Sequence, residues 1–518
     1  MPLKLCTYNK HKACERMHRL YLFLLVAALT CCNNAVSYGQ NRFNYNYPFQ
    51  NYTNQSATVL QINDGYLVFE QIENTDSVNT GLGVRKIDLT GTQLWVKNIF
   101  KPRTITYGGA SDCAHIISTN KIIISGSFID TVYTAIPCDG YLGCINFEGD
   151  TLWTKNFGGP WQDVFKGSLL DNQGNIISVG WNHTSASNYD AWALKTDTLG
   201  NIIWDKKFGG INGDIFSSVL QAPDGGYYLI GGSNSYNSQS DVYLVKVSVD
   251  GNLEWQKSFL SPLADGANGA IISNNKIYIA GASFTNYPTS QFTDGLFLIC
   301  ELDGTLITSK ILGGATLSNS FRTKTLALND GSIVVAGESR TQQNPNVPWG
   351  WLFKFNQDGD SIWARTYFNN PNAPNYIYDL KATSDGGFIM AGSTHDSLGG
   401  IGAQNSWVLK VDEYGCEVEN CQLYDAVEDV AVNNIYFSAS PNPFSDQTTI
   451  NYTLVENTKA ELMVIEMATG KIIKRATVLA DASQTYTLSN EGLSPGVYAI
   501  QMFINAQLIN AIKVVYIQ

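Results

Sequence analysis

Histidine is scarce in this chain of 518 residues, with five in all, and His115, His183 and His395 lie far apart. No His-Glu-x-x-His, Gly-x-Ser-x-Gly or phosphate-loop motif occurs. The common zinc-hydrolase, serine-hydrolase and nucleotide signatures are therefore missing. A site assembled from several repeats would leave no short motif, so this does not exclude catalysis. Charged residues make up 15%, with a net charge of −12 and no basic run outside the first residues. Phosphate binding needs a cationic face, which argues against a nucleic-acid partner. Beyond residue 29 no apolar run is long enough for a transmembrane helix. Of ten cysteines only six follow residue 39. No metal-ligand or cofactor constellation is expected.

What is present is a repeat. Asp224–Phe259 reads as an Asp-Gly-Gly turn, a β run, a polar loop, a second β run, another Asp-Gly turn and a third β run carrying Trp255. The second turn's glycine recurs at Gly91, Gly149, Gly200, Gly251, Gly304, Gly359 and Gly415, at gaps of 58, 51, 51, 53, 55 and 56 residues. Trp95, Trp153, Trp204, Trp255 and Trp363 follow it by four positions, while Thr308 and Glu419 break the pattern. A further β run before each first turn makes four strands per copy. A fixed period with four strands predicts propeller blades. The fold expected is all-β: a seven-bladed β-propeller over 40–420, then a small β-sandwich. Asn41–Gln50 looks like the end of an outer strand that could pair with the last blade and close the ring.

These residues resemble a known family. Phe157-Gly158-Gly159 with Asp163, Phe208-Gly209-Gly210 with Asp214, Asp-Gly-Gly-Tyr, Asp241 before an apolar-Lys-apolar strand, and Gly-Asn-x-x-Trp are similar to the SBBP-type bacterial β-propeller repeat. The likeness concerns fold and leaves activity open. The repeated Trp is expected to pack between neighbouring blades. Lys86, Lys195, Lys246, Lys354 and Lys410 are expected to bury their stems with the head exposed or paired. Asp190, Asp241 and Asp294 are expected to satisfy loop amides. Gly-x-x-x-Trp also occurs in quinoprotein propellers, but the rest of that motif is not repeated, and the one vicinal cysteine pair, Cys31-Cys32, precedes residue 40.

The chain's ends carry sorting information. Met17-His18-Arg19 and Leu20–Leu29 form a basic and an apolar segment, and Ser37-Tyr38-Gly39 offers small residues for cleavage. A signal peptide over 1–39, with the true start at Met17, is expected; the alternative is a lipoprotein acylated at Cys31 or Cys32. Cys416 and Cys421 flank a short loop and read as a disulfide, or else as two free thiols. A linker over 421–435 leads to Tyr436–Gln518, where the period is lost and short strands suggest a sandwich. Pro441-Asn442-Pro443-Phe444, Gly470, Gly496-Val497-Tyr498 and Lys513-Val514-Val515 resemble the type A sorting domain of type IX secretion cargo. That family's domain is similar to an immunoglobulin fold. The resemblance implies the type IX machinery as a partner and a secreted or outer-membrane surface location in a Gram-negative bacterium. A generic carbohydrate-binding or adhesion sandwich is the alternative.

In a four-strand blade the short Asp-Gly turns share one face. The longer stretches Trp181–Tyr189, Ser233–Ser240, Ala282–Thr293, Glu338–Trp349 and Ser393–Ser406 share the other. Function concentrates on such loops. Trp181, Tyr236, Phe284, Tyr287, Trp349 and His395 are the ligand-binding candidates there, for a glycan or a surface protein. Their alternative role is to pack their own loops. A binding or scaffold module is the function expected; the alternative is a secreted polysaccharide hydrolase or lyase.

Overall fold

The computed structural model describes residues 41–49, 52–74, 80–99, 104–105, 113–129, 138–185, 188–237, 239–259, 261, 263–284, 293–313, 317–341, 344–396, 404–418, 437–454, 459–466, 472–479, 484–504 and 507–517. Their regular elements are β-strands, and none of them forms a helix long and apolar enough to cross a membrane. Between residues 43 and 411 the strands form seven open antiparallel sheets, one per repeat. The fourth shows the plan: Asp214–Gln221, Tyr227–Ser233, Asp241–Val247 and Leu253–Phe259 pair in chain order. In the second sheet the first strand is split into Thr104–Ile105 and Ala114–Ser118, both paired with Lys121–Ile129. The seventh takes three strands from 375–411 and its fourth, Phe43–Tyr47, from the other end of the chain.

The repeated residues acquire physical reasons. The first strand of most sheets carries a bulge, for example at Phe216/Ser218 and Ile377/Asp379. The bulged backbone crowds the glycine opposite. A Cβ on Gly231 would stand 2.0 Å from the Ile215 carbonyl oxygen, and on Gly392 1.8 Å from that of Tyr376. The turn glycines adopt left-handed φ, between 72° and 84° at all seven positions. Each also floors a site for an aromatic ring from the preceding sheet. A Cβ on Gly251 would lie 2.9 Å from Trp204, and on Gly304 2.8 Å from Trp255. Where Thr308 replaces Trp, Ile299 and Phe297 lie closest to Gly359. Gly91 has Phe43 and Tyr45 above it. Phe43 stands opposite Lys410, as Trp95 stands opposite Lys86 and Trp204 opposite Lys195.

Those lysines are all paired. Lys86, Lys195, Lys246, Lys354 and Lys410 reach Asp64, Asp171, Asp224, Asp330 and Asp385 at 2.7, 3.0, 2.8, 3.2 and 3.0 Å. Each pair ties the third strand to the first turn of its own sheet. Burial of Lys410, which is fully enclosed, holds its ammonium below the ordinary range, and the Asp385 carboxylate works against that.

The cores lie between sheets. Val179, Phe216 and Tyr243 share one cluster across the third and fourth sheets; Ile230, Ala270 and Leu298 share another across the fourth and fifth. Phe43, Val59, Val68, Ile389 and Val408 join the first sheet to the seventh. That last boundary also has polar bonds: Thr58 donates to Asp379 at 2.5 Å, and Gln404 to Gln55 at 2.9 Å. Cys113, Cys138, Cys144 and Cys300 are buried free thiols. Cys416 is buried and disulfide-bonded; Cys421, its expected partner, lies outside the described residues.

The tail has a three-stranded sheet of Phe437–Ser440, Gln447–Tyr452 and Thr485–Ser489. A second sheet orders Ile472–Leu479, Lys459–Glu466, Gly496–Ile504 and Gln507–Tyr516. Ile450 and Leu488 of the first meet Val464, Tyr498, Ile500 and Val514 of the second in one core.

Candidate binding face

In six of the seven sheets the end away from the Asp-Gly turns begins with a buried polar residue. Asp163, Asp214, Asp265, Asn319 and Asn375 each sit two residues before the site opposite the crowded glycine, and Asn54 sits two before Ser56, which faces Glu70 instead. Asp163 accepts from the Gly159 amide at 2.5 Å and the His183 amide at 3.1 Å. Asp214 accepts from the Gly210 amide at 2.8 Å and the Ser235 hydroxyl at 2.7 Å. Asn375 accepts from the Asn369 amide at 2.9 Å. The Phe-Gly-Gly motifs are thus connecting loops clamped by the next sheet's first polar residue. Gly209 must be glycine there: its φ is 130° and a Cβ would fall 2.0 Å from Asp214 Oδ2. Burial raises the Asp163 carboxyl above the ordinary range, against the pull of the Gly159 and His183 amides. Among the described residues no three His, Cys, Asp or Glu converge as a metal site.

The structure distributes the sequence-derived candidates over five hairpins at this end. Trp181 lies half-buried within Ile176–Ser185, with Lys166 Nζ 6.0 Å from its ring centre. Tyr236 is exposed, packs on Tyr243 at 5.5 Å and accepts a hydrogen bond from Gln256. Phe284 is exposed at the end of Lys276–Phe284. Tyr287 lies outside the described residues. Trp349 packs at a tilt against Phe368, 5.4 Å between ring centres, and donates to the Pro371 carbonyl. His395 meets Tyr376 edge-on at 6.2 Å, and burial lowers its imidazole pKa. Tyr236, Trp349 and His395 thus each lean on a neighbouring ring. Two of the long loops prove to be strand: Ile176–Ser185 with Asn188–Thr196, and Ile333–Thr341 with Asn344–Phe355, run nearly to their tips.

A cleft of about 570 Å³ opens at this end beside the third sheet. Its walls are the Phe157–Trp161 loop, Asn156, Asn182, His183 and the outer-strand residues Asp205 and Lys207. Trp161 is 44% exposed, the one tryptophan among the strongly exposed large hydrophobics of the described residues. Below it Trp192, buried, donates to Asp205 at 2.8 Å. His183 stacks on Tyr189 at 5.4 Å. The candidate set did not include Trp161. Its signal was available: it is a tryptophan outside every strand of the repeat, directly after Phe-Gly-Gly-Pro.

In the tail, Asn442 donates to the Lys513 carbonyl at 2.7 Å and accepts from the Val515 amide at 2.8 Å. Phe444 exchanges backbone bonds with Val515 and Ile517 and packs its buried ring on Tyr516. The Pro441-Asn442-Pro443-Phe444 run therefore fastens the terminal strand; both of its prolines follow cis bonds. Tyr498 donates to the Ser494 carbonyl at 2.6 Å and accepts from its amide at 2.9 Å, closing the Ser494–Tyr498 turn on which Gly496 lies. Lys513 is exposed, and Gly470 lies outside the described residues. Residues 438–517 match the family described as a secretion system C-terminal sorting domain.

The tail is a sorting domain. Its presence supports export by type IX secretion and attachment at the cell surface. No curated protein matches the chain. Among solved structures the chain is similar to an acylaminoacyl peptidase from Pyrococcus horikoshii, at 11% identity and a TM-score of 0.39 over 78% of this chain and 59% of that one. It is similar to a post-proline cleaving enzyme from Rickettsia typhi at 12% and 0.33, over 67% and 50%. An endo-1,4-β-xylanase from Bacteroides thetaiotaomicron gives 11% and 0.29, over 52% and 98%. The chain thus spans only half to three-fifths of the two peptidases, and scores this low say nothing of activity.

Proposed function

We propose that the chain is an exported binding module: a closed seven-bladed propeller over 40–420, of the SBBP type, joined by a linker to an immunoglobulin-like sorting domain over 436–518. Ring closure is supported by Phe43–Tyr47 completing the seventh sheet and by the core shared between the first and seventh sheets. A cleaved leader over 1–39 and a Gram-negative surface location complete the reading, as does a bridge between Cys416 and Cys421. The ligand is a glycan or a surface protein, held at the end opposite the Asp-Gly turns. The observation that carries this is the cleft beside Trp161, where an exposed indole adjoins Asn156, Asn182, His183, Asp205 and Lys207. An aromatic plate beside amide, imidazole and charged groups suits stacking on a sugar ring with hydrogen bonds to its hydroxyls. Binding is favoured over hydrolysis because Asp163 and Asp214 at this end are fully buried and bonded to loop amides. A general acid must reach its substrate.

The test is a glycan and surface-protein screen with the full chain, followed by Trp161→Ala, Trp349→Ala and Asp64→Ala in any hit. The cleft reading expects at least a tenfold loss for Trp161→Ala and none for Asp64→Ala. The reverse pattern would put the ligand on the other face. Export is tested separately: deleting 436–518 should leave the protein in the periplasm, and normal surface display of the shortened chain would refute the sorting role.

A further inference from the structure

With the Trp161 cleft as the binding site, as proposed above, its walls also restrict the ligand's charge. Asp205 and Lys207 lie two apart on Ile202–Phe208, so their side chains leave the same side of the strand, and both line the cleft. Both are exposed. The buried Trp192 indole donates to Asp205 Oδ1 at 2.8 Å, which holds the carboxylate in place. Lys207 stands opposite Trp192 in the ladder. One acid and one base therefore sit side by side on a paired strand, and their charges cancel. Two further carboxylates, Asp163 and Asp190, feel the Lys207 charge, and burial holds both above the ordinary range. An anionic ligand would gain Lys207 but face Asp205, with Asp163 and Asp190 close by. A cationic one would gain Asp205 but meet Lys207. A ligand without ionised groups opposes neither.

The uncharged groups of the walls add acceptors. Asn182 is 6% exposed and lines the cleft. Its amide nitrogen donates to Asp163, which sets the orientation of the amide, and its oxygen accepts nothing among the described residues. His183 Nδ1 lies 3.3 Å from the Ser185 carbonyl, which can only accept. Nδ1 therefore holds the proton, and Nε2 is left as an acceptor. Hydroxyls donate and accept at once, so they suit walls of this mixed kind. A pyranose also offers an apolar C–H face to the exposed Trp161 indole. The cleft's 570 Å³ lies within the range of about 300–1,000 Å³ usual for small-ligand sites, whereas a protein partner covers a broad patch.

We infer that the cleft binds an uncharged pyranoside unit of a glycan, with two neighbouring hydroxyls held between the Asp205 carboxylate and the Lys207 ammonium. One hydroxyl donates to the carboxylate and the other accepts from the ammonium, so both bonds are charge-assisted although the ligand carries no charge. Asn182 and His183 offer the next acceptors, and Trp161 stacks on the ring. Uronate, sulfate and amine groups are disfavoured because each would face its own charge across the Asp205–Lys207 pair.

The experiment is a glycan array probed with the full chain, its glycans sorted into uncharged, uronate- or sulfate-bearing and amine-bearing sets, followed by calorimetry on the strongest hit. The hits should be uncharged, and affinity should change less than about twofold between about 50 and 500 mM salt. Asp205→Asn, which keeps an acceptor for Trp192, and Lys207→Met should each weaken binding about tenfold. Lys206→Met, on the opposite side of the same strand, should leave the affinity unchanged. An array with no uncharged hit would overturn the inference, as would an affinity that survives Asp205→Asn and Lys207→Met together. Trp161→Ala separates this inference from the reading it rests on. If that variant abolishes binding of a charged glycan or of a surface protein, the cleft stands and the uncharged sugar falls. If it leaves an uncharged hit untouched, the cleft reading falls and takes this inference with it.

Discussion

Replacing Phe43 by alanine tests whether the N-terminal strand locks the repeat region. Phe43 is 6% exposed, lies over Gly91 of the first sheet and pairs with Lys410 of the seventh. It contacts both ends of the array at once. Phe→Ala in a core costs about 3–5 kcal/mol, and the lower end applies to a strand at a sheet's edge. With unfolding entropy near 2.1 cal/mol/K per residue, a region of about 375 residues loses roughly 4 °C in Tm per 3 kcal/mol if it melts as one unit. Tyr45→Ala is the internal control. Tyr45 is 48% exposed and stacks on Phe43 from outside, so its loss should shift Tm by about 1 °C. Calorimetry of the two variants, with limited proteolysis near residue 50, reads the difference. Equal small shifts in both, with no new cleavage, would show that the strand decorates the seventh sheet without fastening it.

Two further outcomes follow from the same geometry. Gly231→Ala should cost about 3 kcal/mol or more, because its Cβ would fall 2.0 Å from a backbone oxygen, whereas Gly174→Ala, with open space around it but φ at 80°, should cost about 1 kcal/mol; denaturant midpoints distinguish them. Asp330 is held at about 2 by the Ser332 hydroxyl, the Ser332 amide and Lys354, a folded value below the unfolded one. Its contribution is present at neutral pH and lost as pH falls from about 4 towards 2, so Asp330→Asn should lower the midpoint at pH 7 by less than about 1 kcal/mol after solvent screening, with the gap roughly halved at about pH 3 and closed only below about pH 2. A gap that widens on acidification would contradict the sign.

Much of the fold was legible because repetition multiplied weak signals. One Trp four residues after a glycine says little, but Trp95, Trp153, Trp204 and Trp255 do so at a fixed period, and all four sit on the next sheet's turn. The lysines were read as exposed or paired, and each has its aspartate. The stretch around Phe43 was read as an outer strand that could pair with the last repeat, and Phe43–Tyr47 pairs with Gln404–Val411. The hairpin ends were less legible. Asn, Ser and Thr around Trp181 and Ser339 look like loop, yet they are held as strand by ladder partners that local composition does not report. Asp163 and Asp214 were visible as motif members without their task, since a clamp on a connecting loop appears only when the next sheet is in place. Trp161 was overlooked because it belongs to no period. Whether Trp181, Phe284 or His395 touches a ligand was never a question of pattern; it depends on which faces of these rings stay open.

The strand Phe43–Tyr47 has a consequence for the life of the chain. Arg42 and Asp412, bonded at 2.9 Å, are 370 positions apart, so the first strand to be synthesised waits for nearly the last. Until then the strand has no sheet to join and its backbone groups stay unpaired by one, and contacts of such long span make maturation slow. The two extremities of the repeat region are, mechanically, a single place. A nick near residue 50 and a premature stop near residue 400 would strike the same sheet, although the stop also removes Gln404–Val411 and the sorting domain.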